Sequence, residues 1–401
     1  MGLSDDQERA RKAIWDRVAD GAAESVLAGP AGSGKTTLLR TLAEDAEARR
    51  RRVVMLAPTG KAASVLRAKS GRMASTIHKA LYRSVEEDDA GNPVFGIPSW
   101  PCQPGDLLFV DEASMVGREI HAELMSHLPP GAQVVFCGDR EQLPPVGDGW
   151  GADFAHPTAV LEEVHRQALE SPIIRIATAI RTAEPGWTWK GVGRGAWGEP
   201  GAELERGLPQ VGATWLADLR GRGEDATLLA WRNKTRQELN NLVRAKRGIR
   251  AEFPQPGDYL ICLKNNHAMD FMNGEVHQVR AAFRPPGSPW PAVQVDLWGD
   301  HRRAWVRPDL AGGEMADWRT FEKLLREKYR DGEGDPAGRW VHCDIGEVLT
   351  VHKSQGSEFD AVGVIAERGL KWMARENPDD YRRWCYTAVT RARERLVVFE
   401  Q

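Results

Sequence analysis

The sequence predicts an α/β fold in which parallel sheets are covered by helices on both faces. Three observations lead to this prediction: short apolar runs alternate with amphipathic helical patterns, a glycine-rich loop joins one such run to a helix, and two stretches break the alternation. A chain of 401 residues is long for a single domain. We therefore expect two α/β units, each interrupted by a small β insertion.

The first unit follows from four short apolar runs and the helical patterns between them. The segment between Arg83 and Pro104 interrupts the alternation with turn residues and extended flanks, which predicts a small inserted hairpin. We assign residues 1–82 and 105–157 to the first unit and residues 83–104 to the hairpin. The predicted strands and two of the predicted helices are Ser25–Ala28, Arg52–Leu56, Leu107–Val110, Gln133–Cys137, Lys61–Lys69 and Arg118–Leu128.

The second unit is expected to cover residues 158–254 and 347–401. Three segments that begin at Gly257, Gly274 and Ala292 alternate with period two, which predicts a small β-barrel inserted at residues 255–346. The other predicted elements of this part are Ala159–Glu163, Ile173–Arg181, a strand–helix pair over Thr227–Lys246, the charged helix Trp318–Arg330, and the closing strands Val362–Ala366 and Leu396–Phe399.

Composition favours a soluble globular protein. Hydrophobic residues make up 41% of the chain and charged residues 28%, and no apolar stretch approaches membrane-spanning length. The five cysteines lie far apart, which favours reduced thiols over a zinc site or a disulfide framework. A charged N-terminal segment without a secretory signal predicts a cytoplasmic location. The net charge of −3 neither indicates nor excludes nucleic-acid binding, because a binding channel needs only local positive charge.

The glycine-rich segment has the spacing of a nucleoside-triphosphate loop. Gly29 to Thr36 fits the pattern G-x-x-x-x-G-K-[ST], after an apolar strand and before a helix, which argues against an incidental lysine in a turn. Backbone N–H groups of such a loop wrap the phosphates, Lys35 can reach the β- and γ-phosphates, and Thr36 can bind Mg²⁺. The predicted nucleotide-binding residues of the loop are Gly29, Pro30, Ala31, Gly32, Ser33, Gly34, Lys35, Thr36 and Thr37.

Two acids follow the apolar strand Leu107–Val110. Asp111 can hold Mg²⁺ directly or through water, and Glu112 can polarise the water that attacks the γ-phosphate. Acid pairs at strand ends also occur by chance. A pair that follows a phosphate loop in this order indicates hydrolysis of a nucleoside triphosphate.

A third strand end, Phe136-Cys-Gly-Asp-Arg-Glu-Gln-Leu-Pro-Pro-Val, resembles motif III of superfamily 1 helicases. Segments that resemble the other motifs occur in the expected order and cover nearly the whole chain. The forms Gln-Leu-Pro-Pro-Val and Val-His-Lys-Ser-Gln-Gly-Ser-Glu-Phe-Asp are similar to those of superfamily 1B, the 5′→3′ branch with its RecD-like and Dda-like DNA helicases. The segments that resemble the Q motif and motifs Ia, Ib, IV, V and VI begin at or contain Gln7, Ala57, Ser75, Leu161, Thr350 and Tyr386.

The resemblance implies two RecA-like motor units, an SH3-like barrel insertion in the second unit, and ATP and Mg²⁺ as cofactors. Gln7 would read the adenine, and Gln142 would sense the γ-phosphate. Arg166 and Arg391 would act as arginine fingers that stabilise charge on the phosphate, although a surface ion pair is the alternative for either. Gly356 and Glu358 of motif V would complete the nucleotide contacts.

In the family that the chain resembles, motifs Ia, Ib and V line the groove for single-stranded DNA. Contacts to phosphates and sugars grip any sequence, as a translocating motor requires. Phe95, near the middle of the hairpin, would be the wedge that separates the strands, although packing is its alternative role. The predicted strand contacts in the motifs are Pro58, Thr59, Lys61, Thr76, His78, His352 and Lys353.

The resemblance thus implies ATP-dependent 5′→3′ translocation on single-stranded DNA and unwinding of duplex DNA at single-strand/double-strand junctions. A monomer without membrane contact is expected, with a single-strand-binding or replisome protein as a potential partner. Three alternatives stay open: an RNA helicase of superfamily 1, a single-strand translocase that needs a partner to unwind, and a P-loop kinase for a small molecule. Comparing ATPase stimulation by DNA and RNA would separate the first, and turnover independent of nucleic acid would mark the kinase.

Overall fold

Two parallel sheets, each flanked by helices, form the main architecture of the chain. The computed structural model describes residues 2–81, 86–87, 93–94, 100–145, 147, 149–164, 166–250, 254–263, 271, 274–283, 292–297, 300–305 and 341–400. The predicted α/β fold with two parallel sheets is confirmed. Among the described residues, no helix has the length and hydrophobicity of a membrane-spanning segment.

The first sheet contains the strand that precedes the glycine-rich loop. The elements of this part are α1 (Asp5–Ala19), β1 (Glu24–Ala28), α2 (Lys35–Ala48), β2 (Val53–Ala57), α3 (Gly60–Ser70), β3 (Ala74–Thr76), α4 (Ile77–Leu81), β4 (Glu86–Glu87), β5 (Pro93–Val94), β6 (Leu107–Val110), α5 (Arg118–Ser126), β7 (Gln133–Gly138) and β8 (Ala159–Val160). The strand order is β3-β2-β6-β7-β1-β8, and all pairs are parallel. The loop after β1 and the acids after β6 therefore lie at the same edge of the sheet.

The second part of the chain begins with α6. Its elements are α6 (Arg166–Leu169), α7 (Pro172–Arg181), α8 (Trp189–Val192), β9 (Ala202–Arg206), α9 (Pro209–Gly221), β10 (Ala226–Ala230), α10 (Asn233–Lys246), β11 (Tyr259–Cys262), β12 (Val276–Phe283), β13 (Ala292–Leu297), β14 (Asp300–Trp305), β15 (Cys343–Ile345), β16 (Val348–Thr350), α11 (Val351–Ser354), β17 (Phe359–Ala366), α12 (Leu370–Glu376), α13 (Pro378–Val389) and β18 (Ala392–Glu400). The second parallel sheet has the order β16-β10-β17-β18-β9.

One predicted boundary between the units is wrong. Strand β8 pairs in parallel with β1, and the side chain of Leu161 packs in the core of the first sheet. The first unit therefore extends beyond residue 157, and the predicted strand Ala159–Glu163 does not start the second sheet. The physical reason is that β8 supplies apolar side chains to the edge of the first sheet, which its sequence position alone does not reveal.

Both predicted insertions contain antiparallel strands. In the hairpin, Glu86 pairs with Val94 and Glu87 with Pro93, so the predicted hairpin is confirmed. The second insertion is an antiparallel sheet with the order β14-β13-β12-β11-β15. Its closure into an SH3-like barrel stays a prediction. The predicted wedge Phe95 and the predicted helix Trp318–Arg330 lie outside the described residues.

Buried ion pairs join α10 to the inserted sheet. Arg244 donates from Nε at 2.9 Å and from Nη2 at 3.0 Å to the two carboxylate oxygens of Asp258. The backbone N–H of Gln255 also donates to this carboxylate, at 2.8 Å. Asp258 is fully buried, at 0% exposure. The insertion is therefore attached to the second unit through charges that water does not reach.

Replacing Asp258 with asparagine is expected to lower the free energy of unfolding by about 3–5 kcal/mol, because Arg244 would keep its buried charge without a counter-charge. Urea unfolding followed by circular dichroism measures this change. The matched control is Asp225→Asn. Asp225 pairs with Arg393 at the surface and is 41% exposed, so its loss is expected to cost less than about 1 kcal/mol. A loss for Asp258→Asn no larger than that of the control would contradict the prediction.

Candidate nucleotide-binding site

The glycine-rich loop connects β1 to α2 and has the geometry that its sequence predicts. Gly32 and Gly34 both have φ of 79°, in the left-handed region that glycine adopts without steric cost. Gly34 is the N-cap of α2, so the free N–H groups of the first turn border the loop. Lys35 Nζ donates to the carbonyl oxygens of Gly29 at 2.7 Å and Pro30 at 3.0 Å. The ammonium is thus held beside the loop, where it can meet an anionic ligand.

The side chain of Gln7, in helix α1, contacts the glycine-rich loop. Its Nε2 donates to the carbonyl oxygen of Gly34 at 3.2 Å, and its Oε1 accepts from the backbone N–H of Ser4 at 3.0 Å. The side chain is buried, at 2% exposure. The structure therefore shows Gln7 in contact with the phosphate loop, and its predicted contact with adenine stays a prediction.

Asp111 and Glu112 form an acid pair directly after β6. Glu112 has φ of 52°, a strained value for a residue with a side chain, and its N–H donates to Asp111 Oδ1 at 2.9 Å. Burial raises the pKa of both carboxyl groups, and the Asp111 charge raises that of Glu112 further. The positive charge of Lys35 offsets part of this rise in both pKa values. Positive charge close to this pair would therefore favour its ionised form.

A divalent cation would supply such charge. Asp111 offers a carboxylate, and Thr36, at the start of α2, offers a hydroxyl. Hard oxygen donors of this kind, together with phosphate oxygens, are what Mg²⁺ prefers. A bound Mg²⁺ would also favour the ionised form of Glu112. The residues present thus fit the predicted metal site.

The segment after β7 places Gln142 in the interior. Gln142 is 4% exposed, and its Oε1 has no hydrogen-bond partner among the described residues. An unpaired buried amide oxygen costs about 1–3 kcal/mol, so a missing partner is expected at this position. A water molecule can donate to this oxygen. Gln142 is therefore in a suitable environment to orient an attacking water.

Arg391 comes from the second unit and lies between α13 and β18. It is 3% exposed, and it donates to the carbonyl oxygens of Thr387 at 3.1 Å and Ser357 at 3.2 Å. Its charge is close enough to lower the pKa of Glu112 across the cleft. Burial argues against the alternative of a surface ion pair. The role of Arg391 as an arginine finger stays a prediction.

The second predicted arginine finger is not tested by the structure. Arg166 is the first residue of α6, and its side chain is not among those that the structure describes. The role of Arg166 stays a prediction.

Motif V meets motif Ia across the two units. Gly356 has φ of 69°, and a Cβ atom added there would lie 2.9 Å from Thr59 Oγ1. A side chain at position 356 would therefore crowd Thr59. Lys61 Nζ donates to the carbonyl oxygen of Glu358 at 2.8 Å. Gly356 and Glu358, predicted to bind nucleotide, therefore lie beside residues of the predicted strand groove. Their contact with the nucleotide stays a prediction.

The residues predicted to contact single-stranded DNA make different kinds of contact within the structure. The hydroxyls of Thr59 and Thr76 accept from backbone N–H groups three residues later, at 3.1 Å in both cases, as caps of α3 and α4. Lys61 Nζ lies 4.3 Å from the centre of the Phe359 ring, and burial lowers the pKa of Lys61. Burial also lowers the pKa of Lys353. Contact of these residues, and of Pro58, His78 and His352, with nucleic acid stays a prediction.

Sequence reasoning missed several residues that border the loop. A cavity of about 340 Å³ lies beside Gly29 and Pro30 and is also lined by Asp139 and Arg181. Arg181 Nε is buried and has no hydrogen-bond partner among the described residues. Asp139 stands inside a matched motif, which was the available signal, but α7 carries no pattern that marks Arg181. The hydroxyl of Tyr386, in motif VI, also reaches the loop.

Comparisons with known proteins show which families the chain resembles. Residues 2–192 match the family described as AAA domain, and residues 346–399 match the UvrD-like helicase C-terminal domain. The chain is 31% identical over 412 residues to the ATP-dependent RecD2 DNA helicase of Deinococcus radiodurans, covering 98% of this chain and 48% of that protein. It is 28% identical over 260 residues to the ATP-dependent DNA helicase dda of Enterobacteria phage T4, covering 61% of this chain and 57% of that protein. The chain thus spans about half the length of these curated relatives.

A solved structure supports the fold. The Pif1 helicase from Bacteroides in complex with ADP-AlF3 and ssDNA is similar with a TM-score of 0.53 and 17% identity, covering 99% of this chain and 92% of that one. At this identity the likeness concerns the fold alone. It agrees with the two parallel sheets of this chain.

Proposed function

The chain belongs to the RecD-like and Dda-like helicases of superfamily 1B, and we propose that it is an ATP-dependent DNA helicase that moves 5′→3′ on single-stranded DNA. The observation that carries the proposal is the composition of the cleft. Lys35 and Glu112 come from the first unit, and the buried Arg391 comes from the second. Hydrolysis that needs both units can be coupled to their relative motion.

The proposed hydrolysis uses groups from both units. Lys35 and the loop N–H groups bind the phosphates, and Glu112 accepts a proton from the attacking water, which Gln142 orients. Arg391 stabilises the charge that develops on the phosphate oxygens, where a positive group from the second unit acts only when the cleft is closed. Mg²⁺, held by Thr36 and Asp111, would supply charge neutralisation at the β- and γ-phosphates.

The proposed movement on DNA depends on the junction of motifs Ia and V. Thr59 and Lys61 of the first unit contact Gly356 and Glu358 of the second, so a strand that crosses this junction would be held by both units. Closure and opening of the cleft would then alternate the grip on sugars and phosphates, independently of sequence. We propose a monomeric motor, because one chain supplies both walls of the cleft. A single-strand-binding or replisome protein is the partner class that we propose for it.

Strand displacement with ATP and Mg²⁺ tests this proposal. Matched DNA duplexes with either a 5′ or a 3′ single-stranded tail should be compared, with the Lys35→Ala variant as the inactive control. We expect unwinding of only the 5′-tailed duplex. Unwinding of only the 3′-tailed duplex would overturn the direction.

Two further results of the same assay would identify the alternatives. DNA-stimulated ATPase without unwinding of either duplex would indicate a translocase that needs a partner. Stronger stimulation by single-stranded RNA than by DNA would indicate an RNA helicase.

A further inference from the structure

A buried hydrogen-bond chain around Tyr386 joins the two units beside the nucleotide site. Tyr386 lies in α13 and is 1% exposed. Its hydroxyl accepts from the backbone N–H of Ala31 at 2.8 Å and donates to Asp139 Oδ2 at 2.6 Å. One phenol of the second unit thus connects the glycine-rich loop with the segment that follows β7.

The same helix holds this segment at further points. Arg382 donates from Nη1 to Glu141 Oε2 at 2.7 Å, and the hydroxyl of Thr387 accepts from the backbone N–H of Leu143 at 2.9 Å. These contacts lie on both sides of Gln142, whose own amide oxygen has no partner among the described residues. The backbone around Gln142 is therefore fixed from the second unit, while its side chain stays available.

The phenol is suited to this bridging role. Burial raises the pKa of Tyr386 well above its ordinary range, and the neighbouring Asp139 charge raises it further. The hydroxyl is therefore neutral at physiological pH and can donate and accept at the same time. The other oxygen of Asp139, Oδ1, accepts from the backbone N–H of Glu141 at 3.0 Å. The carboxylate therefore hydrogen-bonds both to Tyr386 and to the segment that carries Gln142.

We propose that Tyr386 is a positioning residue that makes ATP hydrolysis depend on contact between the two units. This inference rests on the proposed function. When the units meet, the hydroxyl fixes the Ala31 amide and, through Asp139, the segment that carries Gln142. When they separate, both groups lose that partner. The contact acts mainly on the rate of hydrolysis, because it reaches the loop at Ala31 and leaves Lys35 and the first turn of α2, which also bind the phosphates, to the first unit.

The test is the variant Tyr386→Phe, which keeps the ring and removes only the hydroxyl. We expect kcat of the DNA-stimulated ATPase to fall about tenfold or more, because the Ala31 N–H and the buried Asp139 carboxylate lose their partner. We expect KM for ATP and the affinity for fluorescent ADP to change less than about threefold, because the groups that bind the nucleotide before the reaction are unchanged. The matched control is Tyr381→Phe in the same helix, where the ring stacks on Trp187 at 5.1 Å and the parental kcat is expected.

A double-mutant cycle shows whether Tyr386 acts through Asp139. If Tyr386→Phe and Asp139→Asn interrupt the same hydrogen bond, the combined variant should lose little more than the more damaging single change. Independent, multiplying losses would overturn the proposed coupling. Parental kcat in Tyr386→Phe would overturn it as well, and so would equal losses in kcat, ADP affinity and melting temperature. Absence of DNA-stimulated hydrolysis in the parent would instead overturn the proposed function and this inference together.

Discussion

Replacing Lys35 with alanine is expected to abolish ATP turnover, with a loss of about 10³-fold or more relative to the parent. The change removes the ammonium that lies beside the carbonyl oxygens of Gly29 and Pro30, where the phosphates are expected to bind. It also removes a charge that lowers the pKa of Asp111 and Glu112. The proposed base would then be protonated more often, which slows hydrolysis further.

Phosphate release at saturating single-stranded DNA measures the effect of Lys35→Ala. The matched control is Lys12→Ala, which removes an exposed ammonium from helix α1 and should leave turnover unchanged. A melting temperature close to that of the parent should accompany the loss, since among the described residues the Lys35 side chain bonds only to carbonyl groups of its own loop. Near-parental ATPase in Lys35→Ala would refute the assignment of the phosphate loop.

Replacing Arg391 with alanine is expected to reduce hydrolysis by about 10³-fold while nucleotide affinity stays within about threefold of the parent. The charge of the guanidinium lowers the pKa of Glu112, and its nitrogens donate to Thr387, Ser357 and Thr390 of the second unit. Within the described part of the chain it forms no ion pair. We therefore expect it to act on charge that develops during the reaction rather than on the phosphates of bound ATP.

Single-turnover hydrolysis and binding of fluorescent ADP separate these two effects of Arg391→Ala. Arg393→Ala is the matched control, because Arg393 is close in sequence but pairs with Asp225 at the surface. Its hydrolysis rate should equal that of the parent. A purely structural Arg391 would show a different pattern: the alanine variant would lose melting temperature and nucleotide affinity along with the rate.

The accuracy of the sequence-based predictions differs between elements for a physical reason. Strands β6 and β7 are buried along their whole length, so each appears in the sequence as a continuous apolar run that can be identified directly. Strand β9, with the sequence Ala-Glu-Leu-Glu-Arg, lies at the edge of the second sheet and is mostly half-exposed. Its polar side chains gave no apolar run, and it was not predicted.

The site shows the same division between local and long-range information. Gly34 and Lys35 could be identified because the geometry of a phosphate loop depends on neighbours in the chain. The contact of Tyr386 with Ala31 spans 355 positions, and the contact with Asp139 spans 247. A motif match names these residues without showing that they meet.

The sequence by itself determined the parallel α/β fold, the phosphate loop, the acid pair and the family, because each depends on local patterns of hydrophobicity and residue type. The tertiary structure decided that β8 belongs to the first sheet, that Lys61 donates to Glu358, and that Tyr386 links the units. Such contacts follow from how two separately folded surfaces fit together. Chain order does not encode that fit in any local pattern, and only the packed structure reveals it.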